Sequence, residues 1–492
     1  MTDSTTTTLS RTDVLLERVR SGGTDWSLRE QVELAVRLAV PAILAQISSI
    51  VMEYIDASMV GHLGAASSAS IGLVATTTWL FWGLGSAAST GFSVQVAHKI
   101  GGNDPVGARA VLRQSLVACL IFSLVLMSVG IAISDRLPYW LGGSEDIAHE
   151  ATMYFLICAL SMPVFQFHFL TSSMLRCSGN VKVPSLLNIL MCVLDVVFNF
   201  FLIFPTREVT LGDRVVTVPG FGLGVAGAAL GTMLAGFIIS LLLFYFLCFR
   251  SAHLRIFGRN IWRQTTWRHF VPTNMVLRKA IKISMPIGCE RTIMTGAQIT
   301  STMIVAPLGM MAIAANSFGI NAESLCYMPG YGIADGATTL VGQSIGAKRQ
   351  DLARRFAHIT VVMGICVMAV MGVVMYLAAP AMMGVLTPVP EIIELGTEAL
   401  RIEAFAEPMF AAAIVCYGVF VGAGDTLVPS TMNLFAIWAV RITLAIALAP
   451  VMGLNGVWLA MCIELNLRGI LFLLRLRSKR WIPKDLRKLS ST

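Results

Sequence analysis

The chain has 492 residues, of which 56% are hydrophobic and 13% charged, with a formal net charge of +8. Soluble domains carry roughly a quarter charged residues, so this composition excludes an ordinary soluble fold and points to a chain that crosses a bilayer many times. The positive charge is then read first as a topology signal, and no nucleic-acid partner is expected.

Residues 1–34 read as a polar cytoplasmic tail, in part helical from Thr12 onward, without the apolar core of a secretory leader. Beyond it, twelve stretches approach the roughly 20 apolar residues that span hydrocarbon. Six lie near 36–60, 69–96, 110–133, 151–174, 184–204 and 222–249, and six near 280–305, 312–342, 355–379, 396–421, 428–451 and 455–475. They form an all-α polytopic membrane protein of two lobes, 35–250 and 279–476, joined by a basic linker at 251–278 and closed by a basic tail at 477–492. The links alternate in charge: "HKIGGNDPVGARAVLR", "RCSGNVK" and "GAKRQDLARR" are basic, "SEDIAHE" and "PEIIELGTE" acidic. Basic loops stay inside, so both termini are expected on the cytoplasmic face of the cell inner membrane, with anionic lipid as a partner. The ten cysteines lie singly with no CxxC pair, and the seven histidines show no HxxxH or HExxH spacing, so neither metal nor cofactor is expected.

The two lobes are copies of one unit. "LAVPAILAQ" at 38 matches "ISMPIGCER" at 283, "KIGGNDPVGARA" at 99 matches "SIGAKRQDLARR" at 344, and "SMPVF" at 161 matches "AEPMF" at 406. "CSGNVKVPSLLN" at 177 matches "GAGDTLVPSTMN" at 422. Each pair is separated by 245 residues, as in 286 − 41 and 346 − 101. The register slips only after the fifth stretch, where the first copy holds an extra outer loop, "PTREVTLGDRVVTVPG". Six crossings per copy make the copies parallel, a transporter architecture with its substrate site between the halves. Pro41, Pro163, Pro286 and Pro408 interrupt helices at matching places and are hinge candidates.

Ionisable residues inside a bilayer are costly, roughly 2.5–3.5 kcal/mol on insertion scales, and mark function unless they are paired. Glu53 and Asp56 share one face of the first stretch, and Asp195 and Asn199 one face of the fifth. Asp56, Asp195, Asn199 and Thr232 all fall roughly 6–15 Å below the outer boundary at 1.5 Å per residue. Their oxygens suit a hard cation, or a proton held between acids. The second copy has Ser301 and Val440 opposite Asp56 and Asp195, so the acid pair belongs to the first lobe alone. In the second lobe Glu464 and Arg468 stand at i and i+4 as a self-contained pair. Glu290, Glu323 and Glu407 lack such a local partner. They either face a central cavity and draw cationic substrates, or pair between helices with Arg291 or Arg441.

"DASMVGHLG" from Asp56, "MPGYGIADGATTLVGQSIGAKRQDLARR" from Met328 and "GAGDTLVP" from Gly422 resemble the multidrug and toxic compound extrusion (MATE) family, most closely the bacterial branch named for DNA-damage induction. The resemblance runs from about residue 35 to 475. It implies a twelve-helix monomeric antiporter, not an enzyme, that exports small organic, often cationic, compounds as protons or sodium ions enter. It also implies that Asp56 is the acid of the first helix, Asp195 and Asn199 the polar pair of the fifth, and Thr232 the hydroxyl of the sixth. Members that look sodium-coupled carry Asn before Asp in the fifth helix; the order here is reversed, and the reading leans to protons. A flippase for lipids or lipid-linked oligosaccharides of the same superfamily is the alternative.

Overall fold

The computed structural model describes residues 10–21, 26–211, 214–257 and 267–489. Parts of the expected tail and linker, including the basic stretch around Arg263, lie outside the described residues.

A short helix α1 (Arg11–Ser21) precedes α2 (Leu28–Gly61). Ser27 caps α2 by accepting from the Glu30 amide, and Glu30 accepts from the Ser27 amide in return. This reciprocal box starts the helix eight residues before the apolar stretch begins. Then come α3 (Ala65–Gly101), α4 (Pro105–Ser134), α5 (Glu145–Leu160), α6 (Met162–Cys177), α7 (Lys182–Leu202) and α8 (Gly224–Tyr245). The second lobe runs through α9 (Asn274–Val305), α10 (Met310–Gly346), α11 (Gln350–Leu386), α12 (Pro390–Glu403) and α13 (Glu407–Ala423). It ends with α14 (Leu427–Phe435), which passes through a π-helical stretch (Ala436–Ile442) into α15 (Thr443–Met452), then α16 (Leu454–Arg477) and α17 (Lys484–Leu489). Among the described residues eight helices are long and apolar enough to cross a membrane, and two bent pairs, α5–α6 and α12–α13, raise the number to ten. Helices α9 and α10 have 32 and 37 residues. At about 1.5 Å per residue they are of spanning length too, and they complete the twelve.

Two expectations need correction. The stretches at 151–174 and 396–421 are not continuous helices: they break at Ser161 and before Glu407, bending by 47° and 61°. Pro163 and Pro408 therefore sit in the first turn of a new helix, where the missing N–H costs nothing, and not in a helix interior. Pro41 and Pro286 do lie inside α2 and α9. The extra outer loop is a β-hairpin, β1 (Pro205–Leu211) antiparallel to β2 (Arg214–Phe221), so the fold is all-α apart from this ribbon. Its alternating β-branched residues favour a pleated strand over a helix.

The lobes meet along α2, α3, α9 and α10, with α2 packed on α10 and α3 on α9 and α10. At one end the crossing is symmetric. A Cβ on Gly101 would fall 2.0 Å from the Gln343 carbonyl oxygen, and one on Gly346 would fall 2.1 Å from that of His98. Gly101 and Gly346 are repeat partners, as are His98 and Gln343 (346 − 101 = 343 − 98 = 245). Only glycine lets the two backbones approach so closely.

Candidate functional site

Helices α2, α7 and α8 bring the first-lobe residues together. Asn199 donates from Nδ2 to Asp56 Oδ1 at 2.9 Å and to Asp195 Oδ2 at 3.2 Å, so one amide bridges both acids. Asp195 and Asn199 are fully buried. The two carboxyls lie within hydrogen-bonding reach of each other, and the Thr232 hydroxyl stands beside Asp195. That hydroxyl donates to the Ala228 carbonyl at 3.1 Å, which leaves its oxygen lone pairs free. Oδ1 of Asp195 and Oδ1 of Asn199 have no hydrogen-bond partner among the described residues. Glu53 is exposed on the same face of α2 and lies close enough to Asp56 to feel its charge.

Sequence reasoning missed two residues here. Gly231 of α8 stands against Asn199; a Cβ would fall 2.0 Å from Oδ1, so glycine is what lets the amide occupy its bridging position. Tyr154 of α5 lies close enough to both Asp56 and Asp195 to feel their charge. A glycine spacing in "GVAGAALGT" was the only available signal for the first, and nothing local marks the second.

In the second lobe Glu290 is held by Tyr417 Oη and Asn433 Nδ2, each at 2.7 Å. Its partners are thus neutral donors on α13 and α14, not Arg291 or Arg441. The repeat explains the contact: Asn188, partner of Asn433, donates to the carbonyl of Ala45, partner of Glu290, at 3.3 Å and to Ser49 Oγ at 2.9 Å. Glu323, Glu403 and Glu407 are buried close to one another. Arg441 and Arg468 face Glu323, while Arg468 binds Glu464 at 2.8 Å, the pair read from the i, i+4 spacing. Neither oxygen of Glu403 or of Glu407 has a hydrogen-bond partner among the described residues.

The symmetric end of the lobe interface is closed by reciprocal bonds. His98 of α3 binds the Gly422 carbonyl through Nε2 at 2.8 Å, and Gln343 of α10 donates from Nε2 to the Cys177 carbonyl at 2.9 Å. Cys177 and Gly422 are again 245 apart. Helix α1 covers this end, with Leu15, Leu16 and Val19 fully buried among residues of both lobes. Its Arg20 donates to Gln343 Oε1 at 3.2 Å and to the Ser178 carbonyl at 3.2 Å, and meets His253 Nε2. The tail read as polar is therefore part of the closure.

Two parallel six-helix lobes, closed at one end, with a bridged pair of acids buried in one of them, define a polytopic membrane transporter rather than an enzyme. The MatE family model matches residues 41–201 and 286–447, two blocks that start 245 residues apart. The chain belongs to that family. It is 25% identical over 451 residues to the probable multidrug resistance protein NorM of Thermotoga maritima, covering 91% of this chain and 92% of that protein. It is 22% identical to multidrug and toxin extrusion protein 2 of the mouse, covering 92% of this chain and 75% of that one. A crystal structure of MATE in complex with MaL6 superposes with a TM-score of 0.83 at 20% identity, covering 97% and 99% of the two chains. An outward-facing multidrug resistance MATE transporter of the MOP superfamily also gives 0.83 at 20%, covering 94% and 97%.

Proposed function

We propose that this chain is a proton-coupled antiporter that exports small organic cations, with Asp56, Asp195 and Asn199 as the coupling site. The observation that carries the reading is the single amide bridging two carboxyls, one of them wholly buried. Two acids so close hold one proton between them at little cost, and the site changes charge by one when it is loaded. The bridging amide presents its NH₂ to both acids. Sodium coordination would require its oxygen to turn inward, so the arrangement favours a proton. Thr232 supplies a further oxygen beside Asp195, and Glu53 a surface acid on the path to Asp56. The basic links put both termini and the closed end on the cytoplasmic side of the inner membrane. The site is then reached from outside, and its loading favours the state in which substrate leaves.

The unpartnered acid Glu407, with Glu323 close beside it, attracts the cationic substrate, because a buried carboxylate without a donor is costly until a cation or proton reaches it. Glu290 acts instead as a brace between α9, α13 and α14. The names of the relatives, multidrug resistance and toxin extrusion proteins, support an export role. The experiment is efflux from proteoliposomes under imposed proton and sodium gradients applied separately. Export driven by the proton gradient alone is expected. Export driven by sodium alone would overturn the choice of ion, and export driven by neither would overturn the antiport reading.

A further inference from the structure

A cavity of about 570 Å³ lies between the start of α2 and the first turns of α11, apart from both acid clusters. Trp26 and Leu28 form one wall and Arg354, Arg355 and His358 on the first turns of α11 the other. The Trp26 ring is fixed, edge-on to Phe356 with centroids 5.9 Å apart and with the Arg18 guanidinium 5.1 Å from its centroid. Asp351, also in the lining, is taken by Arg349 at 2.9 Å. Arg354 and Arg355 have no carboxylate partner among the described residues, so two guanidiniums are left to face the cavity. From the edge of the cavity both flanking helices expose apolar stripes: Leu28, Val32 and Val36 on α2, and Val362 and Val370 on α11.

A basic, aromatic-walled recess that continues into two apolar stripes has the chemistry of a lipid with an anionic head. The arginines match a phosphate, Trp26 matches the headgroup level of a bilayer, and the stripes match acyl chains. We propose that this cavity binds the headgroup of an anionic phospholipid through Arg354 and Arg355, with the acyl chains lying along α2 and α11. A soluble anion would use the arginines but leave the stripes without a role. Binding here is independent of the coupling site and of which end of the protein faces the cytoplasm.

The test is native mass spectrometry of the full chain in detergent, titrated with phosphatidylglycerol, phosphatidylcholine or glycerol 3-phosphate. Phosphatidylglycerol is expected to be retained more strongly than phosphatidylcholine, and glycerol 3-phosphate only weakly. A basic residue near a membrane surface contributes about a fivefold gain in affinity for anionic lipid, so Arg354→Gln with Arg355→Gln should weaken phosphatidylglycerol binding about thirtyfold. The Arg354→Lys, Arg355→Lys pair should retain most of it, and Arg136→Gln, a charge removed elsewhere, should change nothing. Equal retention of the two lipids, unchanged phosphatidylglycerol binding in the Gln pair, or glycerol 3-phosphate binding as tight as the lipid's would each overturn the proposal. Because the readout is lipid occupancy and not export, a failure of the antiport reading leaves this result standing.

Discussion

Gly231→Ala adds one methyl group at the point where α8 meets the bridging amide. That Cβ would stand 2.0 Å from Asn199 Oδ1 and 3.2 Å from the Asn199 backbone nitrogen, so the side chain must swing away. Both bonds from Nδ2, at 2.9 and 3.2 Å, are then lost. The interhelical bond to Asp56 is worth about 1 kcal/mol in a bilayer and the bond to Asp195 within the same helix about 1 kcal/mol, so the acid pair loses about 2 kcal/mol of organisation, about thirtyfold in its hold on the coupling ion. The crowding itself lowers stability by about 1–3 kcal/mol. Proton-driven efflux from vesicles with matched protein levels should fall by about tenfold or more, and the thermal midpoint should drop. Equilibrium binding of substrate to the detergent-purified protein should change by no more than about twofold. Adding Asn199→Ala to Gly231→Ala removes the clash, so the midpoint should recover while efflux does not. Wild-type efflux in Gly231→Ala, or efflux restored in the double variant, would refute the bridging role.

Asp56→Asn and Asp195→Asn should each abolish uphill export while leaving substrate binding in place, and Glu53→Gln should be milder than either; full gradient-driven export by Asp56→Asn would remove it from the coupling site. Glu323→Gln should weaken export of monocations more than of neutral compounds, and an equal loss for both would point to a structural role. Gln343→Ala removes the bonds to Arg20 and to the Cys177 carbonyl. A cysteine probe on α1 should then be labelled faster from the side proposed as cytoplasmic, and an unchanged rate would mean that these bonds do not hold the closure. Burial, with Arg20 beside it, holds His253 down from 6.5 to about 4. The neutral ring accepts from Arg20, so this contact contributes fully above about pH 6.5 and is lost as pH falls through about 4. Hydrogen exchange in α1 should therefore quicken on acidification across that window and flatten in His253→Gln.

The twelve spans and the repeat were legible because both rest on signals that survive without tertiary context: runs of apolar residues and one constant offset. The first-lobe site was legible for a related reason. An acid inside an apolar run stands out, and i, i+4 spacing places Asp195 and Asn199 on one face whatever packs against them. What was not legible depends on contacts between distant segments. Whether Pro163 and Pro408 kink a helix or begin a new one is decided by the bends before them. Gly231 matters only because Asn199 lies across from it. Helix α1 reads as part of a polar tail because three buried apolar positions, Leu15, Leu16 and Val19, are too few to signal a packed helix in eleven residues. Glu290 is the instructive case. As an acid in a span it could be read as a cavity residue or as half of an interhelical ion pair, yet Asn433 donates to its carboxylate at the place where Asn188 donates to the backbone carbonyl of its repeat partner Ala45.

The two halves keep their symmetry in some places and lose it in others, and the division follows from what each place has to do. Closing one end of the interface between two lobes requires each lobe to hold the other. Both copies therefore keep a small residue at the crossing and a side chain reaching across: His98 to the Gly422 carbonyl, Gln343 to the Cys177 carbonyl. On the proposed antiport reading a coupling ion needs only one binding place, since its gradient can bias the whole two-state equilibrium from a single lobe. The acids of the first lobe accordingly have Ser301 and Val440 as their counterparts, while Glu323, Glu403 and Glu407 have Thr78, Cys158 and Met162. Each lobe thus carries buried acids that the other lacks. Helix α1 adds to the symmetric end unequally: its Arg20 fastens to Gln343, and among the described residues no hydrogen bond from α1 reaches His98. Release of α1 should therefore loosen the Gln343 half of the closure before the His98 half, and the two arms of the gate should open with unequal cost.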